Sequence, residues 1–199
     1  MSEQVGTKNL GSTSPFGKLF RGTLGPEDIV SAEFPGGSAV TFPMGSALRD
    51  SATAGQKAKY TNAISVNDEA VGTGNGTSAT FDLGFANVIA KSLKGYSAGN
   101  QKNASISAGT GTGGVDQIVF AVAPANAEAI KADYDYYSNA VGAVGACILL
   151  EAVATTVAGG NVISDAARDG SVDKILVVDS ASALVDQYFK DALSKVSFD

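Results

Sequence analysis

The chain of 199 residues contains no histidine, no tryptophan and only one cysteine. Without histidine there is no Ser-His-Asp triad, no Cys-His pair and no histidine-ligated zinc or iron site. A single cysteine excludes both an internal disulfide and a cysteine-rich metal site. We therefore expect no catalytic residue, no metal and no cofactor.

Charge is also scarce, because charged residues make up only 17% of the chain and sum to a net charge of -6. An acidic chain without a basic run is a poor candidate for binding phosphate backbones, which need clustered Lys and Arg. The remaining enzyme chemistries need carboxylates, Lys, Tyr or Ser in a concave site, to which nothing in the sequence points. A carboxylate-based hydrolase, for example, is supported only by the 20 acidic residues, which are no support without a pair placed in a cleft. We therefore predict that the protein is not an enzyme and does not bind nucleic acid.

The most apolar stretch, residues 140–160, is interrupted by Glu151 and several glycines, and its uninterrupted part is too short to span a bilayer. A buried pair of strands is the better interpretation, and it places Cys147 in a core as a small apolar residue. The first residues lack a basic region followed by an apolar run, so no signal peptide is expected. No membrane partner is predicted.

Glycine is abundant, with 24 residues, and it separates short apolar runs in a manner typical of β-strands and turns. In residues 129–137 the alternation puts Ile130, Ala132, Tyr134 and Tyr136 on one face. Further strands are predicted at residues 28–30, 38–42, 57–60, 78–83, 117–122, 146–153, 161–163 and 174–178.

One helix is predicted, over residues 181–196, because its apolar residues recur at spacings of three and four. Asp179 or Ser180 can cap its start. The sequence alone therefore predicts a mainly β protein with one C-terminal α-helix.

Two motifs look like ligand sites but have better explanations. The glycine cluster of residues 72–77 lacks the lysine and the following helix that a phosphate loop needs. Asp165, Asp169 and Asp173 are spaced by four, unlike the alternate positions of a calcium loop, so an acidic turn is favoured.

Three tyrosines, Tyr134, Tyr136 and Tyr137, invite a different hypothesis, a platform for a sugar or a base. Packing in a core or an interface is the better interpretation, because tyrosine is an efficient contact residue there.

Residues 1–19 form a polar segment with isolated apolar side chains and no sustained periodicity. Two interpretations stay open. The segment is either a disordered terminus or an arm that orders on a partner by adding a strand, with its apolar residues as anchors.

Two regions carry a resemblance to a known family. The closing region GACILLEAVATTVAGGNVISDAARDGSVDKILVVDSASALVDQYFKDALSKVSF resembles the end of the tailed-phage head decoration proteins, the lambda-like capsid cement family. The pattern of the family in this region is an apolar strand ending in Leu-Leu-Glu, a turn of small residues and a further strand. A short helix and an extended tail then follow. The upstream segment SAVTFPMGSALRDSATAGQKAKYT is similar to another region of the same family.

Between these regions, VGTGNGTSATFDL and VDQIVFAVAPANAEAIKADYDYY are similar to a β module that recurs in phage virion proteins. The resemblance thus implies an N-terminal capsid-binding arm at residues 1–19 and a decoration domain split between residues 20–67 and 138–199. That domain is expected to be a small β-barrel or β-tulip-like fold. An antiparallel β-sandwich-like module is expected as an insertion at residues 68–137.

The resemblance also implies a function. Members of the family are homotrimers that bind the major capsid protein on the outer surface of the mature shell, at three-fold and local three-fold positions, after assembly in the host cytoplasm. A capsid or trimer contact is expected at Phe42, Met44 and Leu48. The expected arm contacts are Val5, Leu10, Phe16, Leu19 and Phe20.

The alternative is a carbohydrate- or receptor-binding β module of a phage tail or a cell-surface protein. Its motivation is the β insertion with its tyrosines, which supplies aromatic contact area for a ligand.

Overall fold

The structure is a computed structural model that describes residues 8–9, 23–24, 28–168, 170–172, 177–193 and 196–198. The described residues are mainly β and contain one α-helix, α1 (Gln187–Ala192), so the predicted class is confirmed. The strands are β1 Lys8–Asn9, β2 Thr23–Leu24, β3 Ile29–Phe34, β4 Thr41–Phe42, β5 Ala47–Asp50, β6 Lys57–Lys59, β7 Ile64–Thr73, β8 Thr80–Asp82, β9 Lys94–Ser97, β10 Asn100–Lys102, β11 Ala104–Ser107, β12 Gln117–Phe120, β13 Ala129–Tyr136, β14 Cys147–Leu149, β15 Val153–Ala154, β16 Val162–Ala167, β17 Gly170–Val172 and β18 Val196–Phe198.

The chain divides into two compact units. Unit 1 consists of Met1–Asn62 together with Ala143–Asp199, and unit 2 is the continuous segment Ala63–Gly142. The insertion expected at residues 68–137 lies inside unit 2. Among the described residues, no helix has the length and apolar character needed to cross a membrane.

Unit 1 contains a five-stranded antiparallel sheet in the order β3-β16-β14-β5-β6. Strand β14 is central and buried throughout, which explains its continuous apolar sequence. Short pairs β15-β4, β1-β2 and the parallel pair β17-β18 complete the described part of the unit. The core cluster is formed by Ala32, Phe34, Phe42, Leu48, Cys147, Leu149, Val153 and Ala166.

The helix is shorter than predicted, six residues instead of sixteen, and the predicted cap is wrong. Its N-cap is Asp186, whose carboxylate accepts a hydrogen bond from the Phe189 N–H. Asp179 instead accepts from the N–H groups of Ala181 and Ala183, both at 2.9 Å. This local turn competes with a first helical turn, because short acidic side chains offer the backbone alternative partners.

Unit 2 contains two antiparallel sheets, one of four strands in the order β10-β9-β13-β7 and one of three in the order β11-β12-β8. Strand β13 alternates as predicted, with Ile130, Ala132 and Tyr134 buried and the residues between them half-buried. Residues of both sheets form one core, namely Leu83, Ile118, Phe120, Ile130, Ala132 and Tyr134.

Two buried polar groups of unit 2 are paired. The Asp116 carboxylate accepts hydrogen bonds from the N–H groups of Val88 and Gly109, each at 2.8 Å, so it ties two loops to β12. The Tyr134 hydroxyl donates to Glu69 at 2.6 Å. Burial and this hydrogen bond raise the pKa of Tyr134 well above its ordinary value.

A close approach of two loops in unit 1 provides a first prediction. A Cβ at Gly36 would overlap the carbonyl oxygens of Gly159 and Gly160, whereas a Cβ at Gly160 would meet nothing within 4 Å. We expect Gly36→Ala to lower the free energy of unfolding by about 2 kcal/mol, because backbone must move. Gly160→Ala is the matched control, expected to stay near wild type in urea unfolding; equal effects of the two variants would contradict this account.

The buried thiol provides a second prediction. Burial raises the pKa of Cys147 from 9.0 to about 11. As the pH rises, the thiol is therefore deprotonated at a lower pH in the unfolded chain than in the folded chain. The contribution of this group to the free energy of unfolding is full below pH 9 and falls by about 2–3 kcal/mol as the pH rises to 11. Urea unfolding of wild type and Cys147→Ala at several pH values tests this. The variant should show the smaller decline, and the part that remains is expected from Tyr134 and Tyr96, whose pKa values are also raised. Equal declines for the two proteins would refute the assignment to Cys147.

Candidate functional site

Two of the three apolar residues expected at a capsid or trimer contact, Phe42 and Leu48, are core residues. Phe42 is 5% exposed and packs its ring 4.6 Å from that of Phe34, and Leu48 is completely buried. Both side chains fill the unit 1 core, and their expected capsid or trimer contact stays a prediction. Met44, which lies between them in sequence, is half-buried.

The five expected arm contacts, Val5, Leu10, Phe16, Leu19 and Phe20, lie outside the described residues. Of the arm itself, the structure describes Lys8–Asn9, which pair antiparallel with Thr23–Leu24 of the same chain.

Each unit carries a surface groove that is lined by polar side chains. The first, the Lys57 groove, has a volume of about 510 Å³ and lies in unit 1. It is lined by Ser31, Asp50, residues 51–55, Lys57 and Arg168.

The Lys57 groove is organised by a partly buried ion pair. Lys57 is 6% exposed, and its Nζ lies 2.5 Å from Asp50 Oδ1 and 2.9 Å from the Gly145 carbonyl oxygen. Asp50 and Lys57 are register partners on β5 and β6. Gly145 has a φ of +66°, and a Cβ there would overlap the Asp50 carboxylate, so this position requires glycine.

The second groove, the Tyr96 groove, has a volume of about 360 Å³ and lies on the outer face of the four-stranded sheet of unit 2. It is lined by Asp68, Tyr96, Ala98, Gly99, Ala129, Lys131 and Asp133. Three strands contribute to it, so the groove is built on paired backbone rather than on a free loop.

A β-bulge in β7 brings Asp68 to this face. Ala132 pairs with Glu69 and Tyr134 with Val66, so two residues, Asn67 and Asp68, oppose the single residue Asp133. The extra residue reverses the alternation, which lets Val66 pack against the core while Asp68 lies beside Lys131 outside. Asp68 has a φ of 60°, a left-handed conformation that aspartate tolerates better than most residues.

Hydrogen bonds fix the polar groups of the groove relative to one another. The Asp133 carboxylate accepts from the Asp68 N–H at 2.7 Å through one oxygen and from the Tyr96 hydroxyl at 3.0 Å through the other. Lys131 Nζ donates to both Asp68 carboxylate oxygens, at 2.8 and 2.7 Å. The acceptor Asp133 raises the pKa of Tyr96, so this hydroxyl stays protonated as a donor.

Small residues keep the groove open. Ala98 and Gly99 form the two-residue turn of the β9-β10 hairpin, and both have positive φ, as a type I′ turn requires. The Ala98 N–H donates to the Ala129 carbonyl, which fastens the turn to β13. No large side chain enters the groove from these three positions.

The tyrosines singled out in the sequence lie elsewhere. Tyr134 is in the core, as the packing interpretation predicts, and Tyr136 stacks on Phe85 with ring centroids 4.1 Å apart. The groove uses Tyr96 instead, which no motif in the sequence marks. Its only local signal is the Ser-Ala-Gly-Asn turn that follows it, which marks a hairpin but not a ligand site.

Among the described residues, no group of three or more acidic or cysteine side chains could hold a metal ion. No family model matches the chain, and no curated protein or solved structure is detectably similar to it.

The ion pair of the Lys57 groove provides a third prediction. The Asp50 side chain is 45% exposed and can be rehydrated, whereas Lys57 cannot. We therefore expect Asp50→Asn, which leaves a buried cation uncompensated, to cost about 2–3 kcal/mol of stability, and Lys57→Met to cost clearly less. Urea unfolding of both variants tests the order, and a larger loss for Lys57→Met would contradict it.

Proposed function

We propose that the chain is a structural virion protein that binds the outside of a mature icosahedral capsid as a homotrimer and stabilises the shell. In this proposal the trimer occupies three-fold and local three-fold positions and contacts the major capsid protein. The protein acts by binding, not by catalysis.

The order of elements in the closing region carries the proposal. Strand β14 ends next to Leu150 and Glu151, and the two-residue strand β15 and a turn rich in small residues precede β16. After β16 and the short strand β17, the six-residue helix α1 is followed by the extended strand β18. This is the order that the resemblance to the capsid cement family implies. The short helix supports it better than the sixteen-residue helix expected from periodicity.

Contacts at the edges of the unit 1 sheet support a barrel-like decoration domain. An isolated parallel bridge joins Glu33 on β3 to Gln56 beside β6, and the Gln56 amide lies 3.5 Å from a Glu33 carboxylate oxygen. Strands β3 and β6 are the two edge strands of the sheet, so this single bridge is a contact between its edges, although the described residues contain no closed barrel. In unit 2, a core shared by two antiparallel sheets supports a sandwich-like module.

The physical mechanism is linkage. A protein that binds the mature lattice and not its precursor stabilises the mature form by mass action, and many copies on a closed shell add their contributions. Three-fold symmetry lets one trimer contact several capsid subunits with identical surfaces. Such a role needs no metal, nucleotide or nucleophile.

Two measurements test the proposal. Analytical ultracentrifugation at micromolar concentration should give a trimer, and the chain should co-sediment with expanded but not unexpanded shells of the phage that carries this sequence. Deletion of residues 1–19 should abolish shell binding and leave the trimer intact. A monomer that binds neither kind of shell would refute the proposal, and equal binding to both would refute selective stabilisation.

A further inference from the structure

We propose that the Tyr96 groove of unit 2 is a binding site for a neutral carbohydrate. The proposal goes beyond shell binding, and it concerns a different surface from the arm. It stands on the geometry of one sheet face, where a carboxylate, a tyrosine and a lysine converge on an open groove of about 360 Å³.

The hydrogen-bonding capacity of the groove suits a ligand with several hydroxyl groups. Each oxygen of the Asp133 carboxylate accepts one hydrogen bond within the protein, which orients it and leaves further lone pairs for a ligand. Lys131 uses two of its donors on Asp68 and keeps one. Vicinal sugar hydroxyls can therefore donate to Asp133 and accept from Lys131 at the same time.

The shape of the groove is also suited to a sugar ring. Tyr96 is half-buried and supplies an aromatic wall, against which the apolar C–H face of a sugar can pack. Ala98, Gly99 and Ala129 add little bulk to the lining, and a Cβ at Gly99 would meet nothing within 4 Å. The volume falls in the range of small-ligand sites.

The net charge of the groove lining favours neutral carbohydrates over anionic ones. Asp68, Asp133 and Lys131 give the groove a net charge of -1, and Lys131 is already neutralised by Asp68. An anionic sugar would therefore meet repulsion from the two carboxylates of the lining, whose one cation, Lys131, is already paired with Asp68, whereas neutral hexoses and N-acetylhexosamines would not. Lys94, the register partner of Asp133, lies outside the lining.

The groove is open at the surface of the sheet, so one copy should bind weakly. Display of many copies would raise the effective affinity by avidity, without any new contact. A repeated weak site is therefore useful on an assembly and inconspicuous on an isolated chain.

The experiment is a binding assay of the purified full chain on immobilised oligosaccharides, with neutral hexose and N-acetylhexosamine glycans beside sialylated and sulfated ones. The chain is displayed multivalently on streptavidin. We expect saturable binding to at least one neutral glycan, then a loss of roughly tenfold or more with Asp133→Asn, since a hydrogen bond to a charged acceptor is removed. Ala129→Trp, which fills the groove at an exposed position, should also abolish binding.

Matched controls separate the groove from the fold. Asp135→Asn changes the same residue type on the same strand outside the groove, and Val122→Trp adds the same bulk at a position that is 82% exposed. Both should bind like wild type. If Asp133→Asn fails to fold, as judged by its amide NMR spectrum, the binding of Ala129→Trp still tests whether the groove is the site.

Binding of anionic glycans only, no saturable binding at all, or unchanged binding by both groove variants would overturn the proposal. The groove variants should keep wild-type trimer and shell binding, so failure of this proposal can be distinguished from failure of the capsid role.

Discussion

The two-sided pairing of β13 is the constraint on which unit 2 depends. Strand β9 bonds to one edge and β7 to the other, so the position of every β13 side chain is set by the pleat. Ile130, Ala132 and Tyr134 are thereby committed to the core, and Lys131 and Asp133 to the opposite face. One strand therefore supplies both the stability of the unit and the polar groups of its groove, and a slip of one residue would destroy both.

The parts of the fold that could be predicted are those where the hydrophobic pattern of the sequence is not opposed by a local hydrogen bond or interrupted by a bulge. The alternation in residues 129–137 predicted which side chains are buried, because both edges and one face of that strand are covered. The apolar periodicity after Ser180 did not predict the helix start, since Asp179 captures two N–H groups in a turn that periodicity ignores. Strand β7 was missed altogether, because its bulges and exposed polar residues hide the period of two.

The functional residues were harder to predict for a physical reason. An apolar residue such as Phe42 or Leu48 gives the same sequence pattern whether its side chain fills the core or contacts a partner. Only the packing in the structure shows that both side chains are in the core. The Tyr96 groove joins residues from three strands through a bulge and a hairpin turn, and neither the pairing of Tyr96 with Lys131 nor the bulge at Asp68 has a signature in sequence. The cluster of tyrosines around residue 134 is visible in the sequence, whereas the groove is formed by residues that only the strand pairing brings together.

The pairing of β7 with β13 has a consequence for how the interrupted unit 1 can fold. Ile64 and Tyr136 are register partners, so the two ends of the inserted segment are held next to each other. Strand β5, which also pairs with β6, must pair with β14, and β14 leaves the ribosome almost a hundred residues later. Such a long closure is costly in chain entropy. Unit 2 is continuous, so it can fold as soon as it is synthesised. Once folded, it replaces a long flexible loop by a short fixed connection, and β14 emerges already tethered near its partners.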